Sequence, residues 1–410
     1  MMDKPAILGG EPVSKKPIRF TEILLTQEEK EAVMECLDAR HLTSGEYIEK
    51  FEKAFAQFIG VRHALAISNG TDALFLSYLA LNLTFKKKII TTPLTFIATA
   101  SSIIHAGAIP IFADVENDGN ISPESVRSIM KKEEISAITV VHMYGKPVKL
   151  EEFKEICNEA GIPLIEDAAH AHGAEYKGRK IGTWGDIAAF SLYPTKIIAA
   201  GGWGGVLTTN NDELYEELIL LRAHGELRHI IGPEGAYVYR RLGYNMRMSN
   251  IEAAVAYYQL LKINDFIEKR RRNAKLLSEK LIDLPGIEVP REEPNSKHVY
   301  YIYAITIDEK KIKWTRDEFV KALNKEGIEA KKGYHIPLHQ QEFFRKINDP
   351  KVNHFALVNS YPDYSRMHLP NAERLSKTTI WLPMHPNLTE EDIEKIAHAI
   401  EKLINWKKRT

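Results

Sequence analysis

Three short stretches of this sequence gather residues whose types and spacing could do chemistry together. In Ser68-Asn69-Gly70-Thr71-Asp72 an apolar run gives way to small residues and then to a helical pattern. A strand-to-helix turn of this kind points backbone N–H groups at an anion in front of a helix N-terminus. Gly70 would let the backbone close on a phosphate and Thr71 could add a hydroxyl; the same residues also read as a plain helix cap made by Asn69 or Thr71. In Pro163-Leu164-Ile165-Glu166-Asp167-Ala168-Ala169-His170 an apolar run delivers Asp167 at its end. A buried carboxylate there needs a cation, and a protonated pyridine nitrogen is such a cation, kept electron-poor by the pairing. Capping of the next segment by Asp167 is the plainer alternative, and a metal shared by Asp167, His170 and His172 lacks a convincing further ligand set. In Phe190-Ser191-Leu192-Tyr193-Pro194-Thr195-Lys196, followed by Gly201-Gly202-Trp203-Gly204-Gly205, a lysine follows a strand end. Desolvated in a cleft, Lys196 could act as a neutral amine nucleophile while Ser191 bonds a phosphate of the same ligand. A surface lysine is the ordinary alternative. The glycine run precedes a strand instead of opening a helix, which argues against a dinucleotide loop. Together the three stretches ask for a phosphate, an aldehyde and a basic ring nitrogen, and pyridoxal phosphate has all three.

Positioning these groups requires strands that end on one side of a sheet. From about residue 60 to residue 210, short β-branched runs alternate with helical patterns, as in a mostly parallel sheet with crossover helices. The predicted strands are His63 to Ser68, Lys88 to Thr92, Ile109 to Ala113, Ile135 to Val141, Pro163 to Glu166, Ile187 to Ser191 and Gly205 to Thr209. The clearest helices between them are Asp72 to Leu81 and Leu150 to Ala160, the second stopping at Gly161. In such sheets ligands bind beyond the carboxyl ends of the strands, where Asp167 lies. A helical segment from Asn250 to about Leu284 leads to a tyrosine-rich strand, Val299 to Ile307, and a helix from Thr315 to Glu326. This pattern predicts an α/β large domain over residues 1–265, including an N-terminal extension, and a smaller α+β domain over residues 266–410. The charged run Glu268 to Arg272 reads as a solvated helix face.

With 410 residues the chain suits two lobes, and its 55 basic residues balance its 55 acidic ones, so no global field draws nucleic acid or an anionic membrane. Met1 to Pro12 lacks the pattern of a secretory signal and no stretch has the length and apolarity of a membrane span. Cys36 and Cys157 are the only cysteines, far apart, as expected of a reducing compartment. The expected location is the cytoplasm.

The order of motifs resembles the DegT/DnrJ/EryC1/StrS aminotransferases, a fold-type I pyridoxal-phosphate family that aminates keto-sugars and related cyclitols. The resemblance runs through Ser68 to Thr71, Pro93 to Ala100, Val141 to Gly145, Glu166 to Ala174, Phe190-Ser191 with Lys196, and Gly243 to Ser249. It implies that Lys196 forms the Schiff base and shuttles the proton, that Asp167 pairs with the pyridine nitrogen, and that His170 faces the phenolic oxygen. It further implies that Gly70, Thr71 and Ser191 hold the phosphate, that Phe96 stacks on the ring, and that Asn245 reaches the phosphate of a neighbouring subunit in a homodimer. His335 and His339 could line the sugar side. In one respect the chain departs from the pattern, because Trp203 stands where many members carry an acidic residue, which leaves substrate preference open.

The activity so implied is a ping-pong transfer of an amino group from glutamate or glutamine to a keto-sugar, nucleotide-linked in the family's usual manner. An inosose aminotransferase is the near alternative, to which Leu8-Gly9-Gly10-Glu11-Pro12 and Trp381-Leu382-Pro383 also conform. In the family's dehydratases a histidine replaces the lysine, so Lys196 counts against that reaction. A regulator would need a nucleic-acid-binding segment, and neither a helix-turn-helix pattern nor a basic face is present.

Overall fold

A computed structural model describes residues 4–227 and 237–409. Seven strands form the central sheet: β1 (His63–Ile67), β2 (Lys88–Thr91), β3 (Ile109–Phe112), β4 (Ala137–Val141), β5 (Leu164–Asp167), β6 (Ile187–Ser191) and β7 (Gly205–Thr209). Their order across the sheet is β1-β7-β6-β5-β4-β2-β3. β6, β5, β4, β2 and β3 run parallel, and β7 alone is reversed, pairing antiparallel with both β1 and β6. Nearly every residue of these strands is buried, as a parallel sheet covered on both faces demands. The predicted strands thus fold where alternation of apolar runs and helices placed them.

The helix Gly70–Ala80 packs against β6 and β7 and is buried almost all round, from Ala73 through Tyr78. Its N-cap is Asn69, so the capping residue precedes the predicted start. Helix Leu150–Ala160 has the predicted bounds, and Gly161 ends it with φ +63°, a left-handed conformation that costs a glycine nothing.

A second core gathers around a three-stranded antiparallel sheet made of β8 (Ile287–Glu288), β9 (Tyr303–Ile307) and β10 (Thr379–Leu382). Helix Arg316–Lys325, opened by the Thr315–Glu318 capping box, and helix Glu390–Arg409 pack on it through Phe319, Leu323, Ile396 and Ile400. The two cores do not follow one cut in the sequence. Ile18 belongs to the second core, and the Glu326 carboxylate accepts the N–H groups of Ala6 and Val13 at 2.8 and 3.0 Å, holding the N-terminal segment there. Conversely Leu338, Phe344, Tyr361 and Tyr364 pack on the first core, where Leu338 donates its N–H to Pro93 at 2.8 Å.

Two expectations are corrected. The strand predicted from Val299 begins only at Tyr303, because Tyr300 takes φ +48° and breaks the extended run. The charged run is not uniformly solvated either: Arg270 is 3% exposed and donates to the carbonyls of Tyr300, Tyr301 and Met384. Among the described residues no helix is long and apolar enough to cross a membrane.

Candidate active site

The carboxyl ends of β5 and β6, the first turn of helix Gly70–Ala80 and the backbone around Tyr301 enclose a cleft of about 810 Å³. Gly70, Thr71, Phe96, Asp167, His170, Ser191, Lys196 and Trp203 all line it. The topology explains the convergence, since β5 and β6 are parallel neighbours and end together, placing Asp167 level with Ala189, two residues before Ser191.

At one end lies the start of the helix. Asn69 Oδ1 accepts the Asp72 N–H at 2.9 Å, and its Nδ2 donates to Asp72 Oδ2 at 2.7 Å, so the cap closes on Asp72 and does not engage the first N–H groups of the turn. A Cβ built on Gly70 would stand 2.8 Å from Ser191 Cβ and 3.3 Å from its Oγ. Only glycine lets the helix start and the Ser191 hydroxyl share this wall, which suits a cradle for a tetrahedral anion.

At the other end Asp167 is 4% exposed. Its Oδ2 accepts from Thr99 Oγ1 at 2.7 Å and its Oδ1 from the Ala169 N–H at 3.2 Å. Burial lifts its pKa above the ordinary carboxylate value in spite of those two bonds and the nearby positive charge of Lys196. Beneath it Glu166, fully buried, points the opposite way and accepts four donors: His142 Nε2 at 3.1 Å and the N–H groups of Gly182, Trp184 and Gly185 at 2.7–3.0 Å. Burial opposes ionisation of Glu166, but the bonds from His142 and the backbone prevail and bring its pKa below the usual value.

Lys196 leaves the end of β6 after a short turn, with its Nζ over the Tyr301 ring at 4.6 Å from the centroid. His170 stacks on the same ring at 4.5 Å. Burial and then the charge of Lys196 drive His170 well below the ordinary histidine pKa, and its Nδ1 is buried with no hydrogen-bond partner. His170 is therefore a neutral imidazole with one nitrogen left to bond a ligand. His172 is neutral as well, its pKa pushed by burial down to about 3, and it packs against Phe55 and Phe190 instead of turning toward Asp167 as a metal ligand would. Phe96 and Trp203 sit at the rim, 60% and 64% exposed, and Trp203 pairs with Tyr193 at 5.4 Å.

Three expected residues lie elsewhere. His335 is exposed and outside the cleft, and His339 is buried away from it, 3.4 Å from Glu373. The Pro337-Leu338-His339 step serves packing on the first core, since Leu338 is tied to Pro93. Asn245 lines a different cleft of about 940 Å³, where its Oδ1 accepts from Arg247 at 2.9 and 3.1 Å. Tyr301, Tyr334, Trp381 and Thr99 also line the site, and sequence reasoning does not place them there. Thr99 falls within the Pro93 to Ala100 motif, and only its helical spacing from Thr95, whose hydroxyl it meets at 3.0 Å, could draw attention to it. The aromatic residues pack with Val141, Met143, Tyr144 and Ile302, Trp381 from within β10 and Tyr301 from just before β9, and no local pattern shows that these segments fold back over the central sheet.

The chain matches the DegT/DnrJ/EryC1/StrS aminotransferase family over residues 24–401. It is 33% identical to the spore coat polysaccharide biosynthesis protein SpsC of Bacillus subtilis, covering 93% of this chain and 95% of that one. It is also 33% identical to a GDP-perosamine synthase of Caulobacter vibrioides, over 93% and 96% of the two chains. Among solved structures, Helicobacter pylori PseC, an aminotransferase involved in the biosynthesis of pseudoaminic acid, superposes with a TM-score of 0.86 at 29% identity, covering 95% of this chain and all of that one. The chain belongs to the DegT/DnrJ/EryC1/StrS aminotransferase family, and it is an aminotransferase.

Proposed function

We propose that this aminotransferase uses pyridoxal phosphate to move an amino group from glutamate or glutamine to the keto group of a nucleotide-linked sugar, in two successive half-reactions. The observation that carries the reading is the meeting of Asp167, Lys196 and the Gly70–Ser191 wall in one cleft. Each fits a different part of the cofactor. The wall that a Cβ would fill accepts a phosphate, with Thr71 and Ser191 as hydroxyl donors. Asp167, buried and destabilised as an anion, gains from a cation placed against it. The unpartnered Nδ1 of neutral His170 leaves it free to bond an oxygen.

When bound, pyridoxal phosphate supplies an aldehyde for amine chemistry and a protonated ring that withdraws electrons from the reacting carbon. The protein's own contributions are binding, orientation and proton transfer. Asp167, held by Thr99 and Ala169, would keep the ring nitrogen protonated. Phe96, which lines the cleft at its rim, would stack on the ring. Lys196 Nζ would take a proton from the α-carbon of the amino donor and deliver it two bonds away, on the far side of the nitrogen being transferred, which is general acid–base work by a single amine.

Two relatives are named for nucleotide-linked amino sugars, a GDP-perosamine synthase and a UDP-4-amino-4,6-dideoxy-N-acetyl-beta-L-altrosamine transaminase of Campylobacter jejuni, and this supports a substrate of that class. The position of Asn245 outside the Lys196 cleft supports a homodimer in which it reaches the partner's phosphate. The test is isotopic. Protein incubated with ¹⁵N-labelled glutamate or glutamine, freed of the donor and then given nucleotide-linked keto-sugars is expected to yield a labelled amino sugar. Label that never enters the protein-bound cofactor, or that leaves only to keto acids, would refute the reading.

A further inference from the structure

Tyr301 has no part in the reading above, yet it touches three residues of the site. Lys196 Nζ lies 4.6 Å from its ring centroid, His170 stacks on it with an interplanar angle of 27°, and its hydroxyl is 3.2 Å from Thr195 Oγ1. Its backbone is fixed with equal care. Tyr300 just before it takes φ +48°, an uncommon conformation for a side chain of that size. Arg270 Nη1, buried beneath, donates to Tyr300 O and Tyr301 O at 3.3 Å each and to Met384 O. No carboxylate pairs with this guanidinium among the described residues, so the carbonyls provide its compensation. This buried guanidinium, bonded through Nη1 to those backbone groups while its Nε has no partner, ties the ring to the long helix Ile263–Leu281 and sets where its face lies.

We propose that Tyr301 is a positioning residue for the free amine of Lys196. The inference rests on the proton-transfer role assigned to Lys196 above. An amine that takes up a proton at one carbon and gives it up at another is an ammonium in between, and a swinging four-carbon chain must be held within reach of both carbons. An aromatic face attracts an ammonium and leaves it free to slide, whereas a carboxylate would fix it at one point and compete for its proton. The neutral state of His170 suits this arrangement, since a second cation on the same ring would repel the first. No bond is made or broken by Tyr301; the proton goes from substrate carbon to Nζ and back to substrate or cofactor, and the ring only holds its carrier.

The experiment compares Tyr301→Phe with Tyr301→Leu in the full-length protein. Leucine is expected to lower kcat of the amino-donor half-reaction roughly 2- to 30-fold, the worth of one cation–π contact. KM for the donor and uptake of pyridoxal phosphate stay near wild type, and the isotope effect with α-deuterated glutamate rises because proton transfer becomes limiting. Phenylalanine, which keeps the ring and loses only the hydroxyl, stays close to wild type in all four. In cofactor-free protein, acylation of Lys196 by acetic anhydride, followed by peptide mass spectrometry, is expected to speed up in the leucine variant and not in the phenylalanine one. A leucine variant with wild-type isotope effect and acylation rate, or a phenylalanine variant as impaired as leucine, would overturn the proposal. A wild-type protein that takes up no cofactor would instead defeat the reading of function, and the acylation comparison would still decide whether Tyr301 holds the amine.

Discussion

Replacing Gly70 with alanine adds one methyl group at the point where the two elements proposed to hold the phosphate meet. The backbone of Gly70 lies outside the left-handed region, so alanine is acceptable there as a conformation and is the better helix former by about 1 kcal/mol. The strain comes from contact alone. The new Cβ would stand 2.8 Å from Ser191 Cβ and 3.2 Å from Ser191 Cα, against an ordinary carbon–carbon separation of about 3.5–4.0 Å. Ser191 cannot retreat, because β6 is hydrogen-bonded to β5 and β7 on its two sides. The first turn of helix Gly70–Ala80 must therefore move by roughly an ångström, on the scale of that missing clearance. Overpacking of this kind costs about 1–3 kcal/mol, and the helix gain offsets part of it, so the melting temperature of the cofactor-free protein should fall only slightly. The phosphate feels the shift in full. Loss of one hydrogen bond to a charged group, worth about 1.5–3 kcal/mol, should raise Kd for pyridoxal phosphate about 10- to 150-fold. Absorbance titration of cofactor-free protein with pyridoxal phosphate measures it, with calorimetry for stability. A Kd within about twofold of wild type would refute the claim that Gly70 and Ser191 form one cradle, since it would mean that the shift reaches no phosphate contact.

Further outcomes follow from the charges and rings of the cleft. Asp167 has a raised pKa in the folded protein, so its neutral form favours the fold: the stability this gives is present below the unfolded value and is lost as pH rises through the folded one. Asp167→Asn should therefore raise the melting temperature of cofactor-free protein at neutral pH, more than at pH 4, while abolishing most of the stabilisation that pyridoxal phosphate gives the wild type. Glu166 has the opposite sign, its stabilisation present above the ordinary carboxylate pKa and lost as pH falls, and Glu166→Gln, which sets an amide among four donors, should destabilise by about 3–5 kcal/mol in denaturant unfolding at pH 7. Trp203→Ala should raise KM for the keto acceptor about 2- to 12-fold, the worth of a stacked ring, and leave the donor half-reaction unchanged in single-turnover kinetics.

The central sheet was legible because each strand is a short apolar run bounded by a helical pattern, and burial on both faces leaves such runs little freedom. Asp167, Ser191 and Lys196 were legible for the same reason, since a polar residue just where an apolar strand ends falls on the side of the sheet at which ligands bind. What escaped was decided by contacts distant in sequence. Arg270 sits in a run of charges that locally predicts solvent, and its burial depends on carbonyls thirty and more residues away. Tyr301 reads as strand because its neighbours alternate, and the turn at Tyr300 that brings its ring under Lys196 carries no glycine to announce it. His339 shows the converse: a motif draws it toward the substrate, while packing ties it to Glu373.

The central claim is that Lys196 carries an amino group transfer on pyridoxal phosphate. Its most direct test is the absorbance spectrum of wild-type and Lys196→Ala protein loaded with pyridoxal phosphate, before and after addition of glutamate or glutamine. The account predicts a visible band in the wild type that shifts to shorter wavelength as keto acid is released, and neither the band of a lysine-bound cofactor nor the release in the variant. A wild-type protein that takes up no pyridoxal phosphate, or a Lys196→Ala protein that releases keto acid at the wild-type rate, would contradict it.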